Sequence, residues 1–141
     1  MMSKFVVIVE CAIEMNDTFL MIERPPDVHA AGLLAFPGGK VELDDGQNNN
    51  DILIEAMKRE VLEEVGLQLI DPIQFVTSSY FITSDGEQVL NIIFHCKLEK
   101  TIAKIQASSR EVPHFYWLTR SEIKMHQQAP IWLKRYMTCI A

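Results

Sequence analysis

The sequence predicts an α/β layered fold, a mixed sheet of the α+β kind with helices on its faces, in a single domain spanning residues 1–141. Three observations predict it. β-rich runs occur in pairs on both sides of one segment with helical period, two short helix candidates close the chain, and no internal repeat interrupts that order. A dinucleotide-binding variant of the layered fold is not indicated, because no GxGxxG follows the first strand.

The chain of 141 residues is the size of one ordinary domain, and its 48% apolar and 23% charged content is that of a globular protein. "KFVVIVECAIE" reads as a strand, and "DTFLMIERP" as a second one after the Asn16-Asp17 turn, so the two predict a hairpin that Pro25-Pro26 ends. "AAGLLAFPGGKVE" carries a short apolar segment into a Pro37-Gly38-Gly39 loop, where glycine allows close backbone approach. The polar, turn-prone "LDDGQNNN", Leu43 to Asn50, predicts a flexible loop.

From Asp51 the period becomes helical. Ile54, Met57, Val61 and Val65 recur at steps of three and four and form one apolar stripe, with Asp51 or Asn50 to cap the start and Gly66 to end the helix. "QFVTSSYFITSDGEQVLNIIFHCKLE" predicts two long strands joined at Asp85-Gly86, and "HFYWLT" another strand. "RSEIKMH" and "PIWLKRYMTCI" are short helix candidates, the second packing through Ile131, Met137 or Ile140 with Lys134 and Arg135 in water.

Composition also bounds the partners. A net charge of -6 and the lack of any Lys/Arg run speak against a nucleic-acid polymer. Glu10 interrupts the first apolar run before a signal-peptide core or a membrane span forms, so no membrane association and a cytoplasmic location are expected. Cys11, Cys96 and Cys139 are far apart and lack a CxxC pair, which reads as core or terminal thiols. The four histidines lack zinc-ligand spacing.

The segment "KREVLEEVGL" poses the chemical question. Glu60 lies three residues from Glu63 and four from Glu64, so each pair repels on a helix surface by ~0.2–0.5 kcal/mol. The three carboxylates share an arc of roughly 100°, while Val61 and Val65 turn toward the apolar stripe. Such a wall of oxygen donors suits a hard cation, Mg²⁺ or Mn²⁺, which would turn repulsion into coordination. Arg59 can fix a neighbouring carboxylate through its planar fork. Taken alone, the same helix reads first as a solvated acidic face, and Pro-Gly-Gly as a plain turn.

"FPGGKVE" together with "REVLEEVGL" resembles the Nudix hydrolase family, whose signature reads GX5EX7REUXEEXGU with U a bulky apolar residue. Arg59, Glu60, Val61, Glu63, Glu64, Gly66 and Leu67 match the second half at every specified position, and Gly39 takes the place of the first glycine. The spacing from Gly39 to Arg59 is six residues longer than in the pattern. The extra length is placed in "LDDGQNNN", and the family's first glutamate falls on Asp51, which also reads as an ordinary helix cap.

The resemblance implies an α/β/α sandwich and a metal-dependent pyrophosphohydrolase acting on a nucleotide or nucleoside diphosphate derivative. It implies a metal, Mg²⁺ or Mn²⁺, held by the Gly39 carbonyl with Glu60, Glu63 and Glu64, and Arg59 holding Glu60. The general base is either Glu60 or a later loop acid, for which Glu111 is the candidate beside its plainer reading as a solvated carboxylate. Lys40 and Arg24 are candidates to meet substrate phosphates, or are surface charges. Triphosphates, ADP-ribose or another nucleotide sugar, and coenzyme A like diphosphates all stay open as the small-molecule substrate. A homodimer is expected from the family only. The competing class is a Nudix-fold nucleotide-binding or regulatory module without catalysis.

Overall fold

The computed structural model describes residues 2–48, 51–99 and 114–141. The first hairpin forms as its turn chemistry dictates: strands β1 (Val6–Met15) and β2 (Thr18–Glu23) flank Asn16 and Asp17, both at positive φ, a conformation Asn and Asp tolerate better than most residues. "AAGLLAFPGGKVE" is more ordered than the loop its composition suggests. It holds two short strands, β3 (Leu34–Ala35) on β2 and β4 (Gly38–Lys40) on β1. Glycine is required at Gly38, where a Cβ would stand 2.7 Å from the Cα of Glu10 and closer still to the Val9 carbonyl oxygen.

Helix α1 (Ile52–Val65) begins at Asp51, whose carboxylate accepts from the amides of Leu53 and Ile54, and ends at Gly66 in the left-handed conformation. Met57, Val61 and Val65 are fully buried and Ile54 packs at the margin, as the stripe requires. Burying each such side chain contributes ~1.5–3 kcal/mol, enough to hold the acidic face in a fixed orientation.

Strands β5 (Ile73–Ile82) and β6 (Gln88–Lys97) form the second hairpin, with Gly86 at positive φ in its turn. β6 runs parallel to β1, from Val6 opposite Val89 to Glu14 opposite Lys97, and β7 (Phe115–Thr119) pairs with β2. The sheet order is β3-β2-β1-β6-β5, with β4 on β1 and β7 on β2.

Side chains alternate across β1. Val9, Cys11 and Ile13 face the core beneath α1, whereas Ala12 faces a second core with Phe19, Phe36 and Ile93. That second core is closed by α2 (Arg120–Met125) and α3 (Ile131–Thr138), which gives the helix-sheet-helix layering. In α3 the packing residues are Leu133, Tyr136 and Met137, followed by Ile140, while Ile131 is exposed, because the helix begins only at Ile131 and its inward face falls two residues later. Cys11 and Cys96 are buried and Cys139 is exposed. Among the described residues, no helix is long and apolar enough to cross a membrane.

Candidate active site

Two of the three candidate acids of α1, Glu60 and Glu64, rest against β4. The Gly38 amide donates to Glu64 Oε1 at 2.8 Å. At the next residue, a Cβ on Gly39 would lie 2.8 Å from Glu60 Oε1 and nearer to the other two carboxyl atoms, so the Glu60 head group lies directly on the Gly39 backbone. Only glycine permits that approach.

Arg59 ties the acids to the segment before the helix. Its Nη1 donates to Glu60 Oε1 at 2.9 Å and to Glu63 Oε2 at 3.3 Å, and its Nη2 donates to the Lys40 carbonyl at 3.0 Å. Nε and Nη2 form a forked pair with Asp45, at 2.7 and 2.9 Å. Asp45 therefore holds the arginine that holds Glu60. The hydrogen bond from Arg59 lowers the Asp45 carboxyl below its usual range, and the same bond raises the guanidinium above its own.

The importance of Asp45 was missed by counting backwards from Arg59 to Asp51. Counted forwards, Asp45 is the sixth residue after Gly39, where the signature has its first acid. The extra residues thus follow Asp45 and precede α1, and Asp51 serves as the cap. Leu43–Gly46 is a 3-10 turn rather than loose chain: the Glu42 amide donates to Asp45 Oδ2 at 2.8 Å, which fixes the carboxylate for Arg59.

Electrostatics leave this surface short of positive charge. Burial raises the Glu60 carboxyl above its ordinary value, Arg59 opposes the shift, and Glu63 and Glu42 add to it. Glu42 lies 3.9 Å from Arg59, so Glu42, Asp45, Glu60 and Glu63 share one guanidinium. Among the described residues, no three His, Cys, Asp or Glu side chains converge as a ready cage for a metal ion. Mg²⁺ does not need one, since it binds through one or two carboxylates and keeps waters and phosphates as its remaining ligands. The excess of hard oxygen donors around Gly39 fits such an ion.

The remaining candidates divide. The Lys40 side chain is exposed and the residue contributes its backbone carbonyl to Arg59. Arg24 donates from Nε to the His29 carbonyl at 2.7 Å and lines a cavity of about 450 Å³ on the α3 side of the sheet. Glu111 lies outside the described residues.

The cavity itself was not foreseen. Its walls include Glu10, Tyr80, Phe81, Asn91 and Trp132, drawn from β1, β5, β6 and α3, which no local pattern could bring together. Its volume is that of a small-molecule site. The β1–β4 pairing links the cavity to the acidic face: Glu10 lines the cavity and stands opposite Gly38 in the ladder, and Gly38 holds Glu64.

Comparison with known proteins adds the following. A model of the NUDIX domain matches residues 4–138. The CTP pyrophosphohydrolase of Escherichia coli (strain K12) is 32% identical over 92 residues, which cover 65% of this chain and 58% of that protein. The MutT NUDIX hydrolase from Burkholderia pseudomallei superposes with a TM-score of 0.80 at 18% identity, covering 99% of this chain and all of that one. The MutT protein from Methanosarcina mazei Go1 gives a TM-score of 0.77 at 22% identity, covering 95% and 91%. At these identities the two structures show a shared fold.

Proposed function

The chain belongs to the Nudix family, and from that premise we propose that it is a metal-dependent pyrophosphohydrolase that cleaves a nucleoside triphosphate to the monophosphate and pyrophosphate. The observation that carries this reading is the β1–β4 pairing: β4 seats Glu60 and Glu64, and Glu10, opposite Gly38 on β1, lines a base-sized cavity. A nucleotide lying across that pairing places its base in the cavity and its phosphates against the acids. The similarity to the CTP pyrophosphohydrolase of Escherichia coli puts CTP first among triphosphates to test.

Glu60, Glu63, Glu64 and the Gly39 carbonyl are proposed to hold a divalent cation, Mg²⁺ or Mn²⁺. When bound, it supplies charge neutralisation at the phosphate oxygens and lowers the pKa of the attacking water. Arg59 orients Glu60 and is itself fixed by Asp45, so the carboxylate does not need to reorganise during reaction. Glu60 takes the proton of the water that attacks phosphorus. The bond from phosphorus to the bridging oxygen breaks, and pyrophosphate leaves. Glu111 is the second candidate for the base. Arg24, in the cavity wall, is proposed to meet the substrate's anionic part, and Lys40, exposed beside Gly39, its outer phosphates.

The test is hydrolysis of a panel of triphosphates, nucleotide sugars and coenzyme A with and without Mg²⁺, with products identified. Metal-dependent release of pyrophosphate from at least one triphosphate is expected. Nucleotide binding without turnover across the panel would point instead to a binding module.

A further inference from the structure

The cavity holds a carboxyl group that the proposed hydrolysis does not use. Glu10 is partly buried in its wall, on the face of β1 that also presents Ile8. Burial pushes its carboxyl up to about 7, against a hydrogen bond from Asn91 and the charge of Arg24, both of which pull it down. A carboxyl that folding desolvates without a full ion pair is a liability in a purely structural wall and an asset where a ligand completes it.

Its surroundings are built. Asn91 is opposite Ile8 in the parallel ladder, so it lies diagonal to Glu10, and it is only 4% exposed. Its Nδ2 donates to the Tyr136 hydroxyl at 3.0 Å, and that hydroxyl bonds to Ser79 Oγ, which fixes the amide from three elements. With Nδ2 so engaged, Asn91 Oδ1 is buried and has no hydrogen-bond partner among the described residues. Glu10 and Asn91 thus belong to one wall of a cavity that Tyr80 and Trp132 otherwise line with aromatic surface.

Resting on the proposed triphosphate hydrolysis, we propose that Glu10 is a specificity residue that selects a base carrying an exocyclic amine, with Asn91 as its positioning residue. An exocyclic amine donates a hydrogen bond to a Glu10 carboxyl oxygen whether that carboxyl is ionised or protonated. A base with a keto group at that position presents carbonyl lone pairs to the carboxylate and pairs only with its protonated form. Aromatic faces bind any base by stacking and carry no such choice.

The test compares kcat/KM for two substrate pairs that differ by an amine-for-keto exchange, CTP with UTP and ATP with ITP, in the wild-type protein, Glu10→Leu and Glu10→Gln. At about pH 9, where Glu10 is ionised, the wild type is expected to favour the amine member by on the order of tenfold to a hundredfold, the range of one hydrogen bond to a charged group. In Glu10→Leu the ratio should fall to about one, through greater loss on CTP and ATP. Glu10→Gln keeps an acceptor oxygen and should retain part of the preference. An unchanged ratio in Glu10→Leu, or equal loss on all four substrates, overturns the assignment while leaving the hydrolase reading in place. If Glu10→Leu does not fold, Glu10→Gln decides, and an unchanged ratio there overturns it. Absence of turnover of all four by the wild type overturns this assignment, and the hydrolase reading falls with it only if every other triphosphate of the panel is also left intact.

Discussion

Substituting alanine at Gly39 and at Gly38 should separate activity from folding at adjacent positions. At Gly39 the three atoms nearest the new Cβ are those of the Glu60 carboxyl group, with Oε1 at 2.8 Å and Oε2 and Cδ closer. Ordinary contact begins near ~3.5 Å, so the carboxylate must retreat by on the order of 1 Å. A side-chain end moves cheaply, but this one is tied to Arg59 at 2.9 Å, and the retreat strains that bond. A misplacement of ~1 Å in a catalytic group costs about a hundredfold in rate, whereas strain at one hydrogen bond costs about 1 kcal/mol of stability. At Gly38 the Cβ instead meets backbone, the Val9 carbonyl group and the Glu10 Cα at 2.7 Å, and the β1–β4 ladder must open. Thermal melts with Mg²⁺-dependent pyrophosphate release are the assay. Gly39→Ala should melt near the wild type with kcat reduced about a hundredfold, and Gly38→Ala should lose a large part of its stability. Wild-type kcat in Gly39→Ala would refute the placement of Glu60 at the reacting phosphate.

Other outcomes follow from the same geometry. Asp45→Asn removes the charge that fixes Arg59; kcat should fall by about tenfold or more with little change in KM, because the loss is in orientation of Glu60. Asp51→Ala removes the α1 cap and should cost about 1 kcal/mol in denaturant unfolding with kcat unaffected. For Glu10 the folded pKa of about 7 is above the ordinary carboxyl value of 4.5, so the folded state holds the proton more tightly and stability falls as pH rises from about 4.5 to 7. Glu10→Gln removes that loss; relative to wild type it should gain about 2 kcal/mol between pH 5 and pH 8, after allowance for partial solvent screening.

The parts of the fold legible in the sequence are those set by local rules. The stripe on α1, its Asp51 and Gly66 caps, and the Asn16-Asp17 and Gly86 turns all follow from spacing and backbone preference over a few residues. β4 was illegible because glycine and proline disfavour strands, and its place is won by contact with Glu60 and Glu64 rather than by propensity. Asp45 was hidden by the extra residues, since one sequence does not tell on which side of an acid an insertion lies. The cavity was hidden for a different reason: Glu10 reaches Asn91 through the parallel β1–β6 pairing, across some eighty residues of chain. Glu10 first stands out in the sequence only as an acid within an apolar strand, and that signal names no partner.

The most direct measurement is the steady-state release of pyrophosphate from CTP, as a function of Mg²⁺, by the wild type and by Glu60→Gln and Glu64→Gln. Turnover that requires Mg²⁺ and falls by about a hundredfold or more in each variant is the expected result. Turnover at the wild-type rate in both variants would contradict the assignment of this acidic helix face as the site of catalysis.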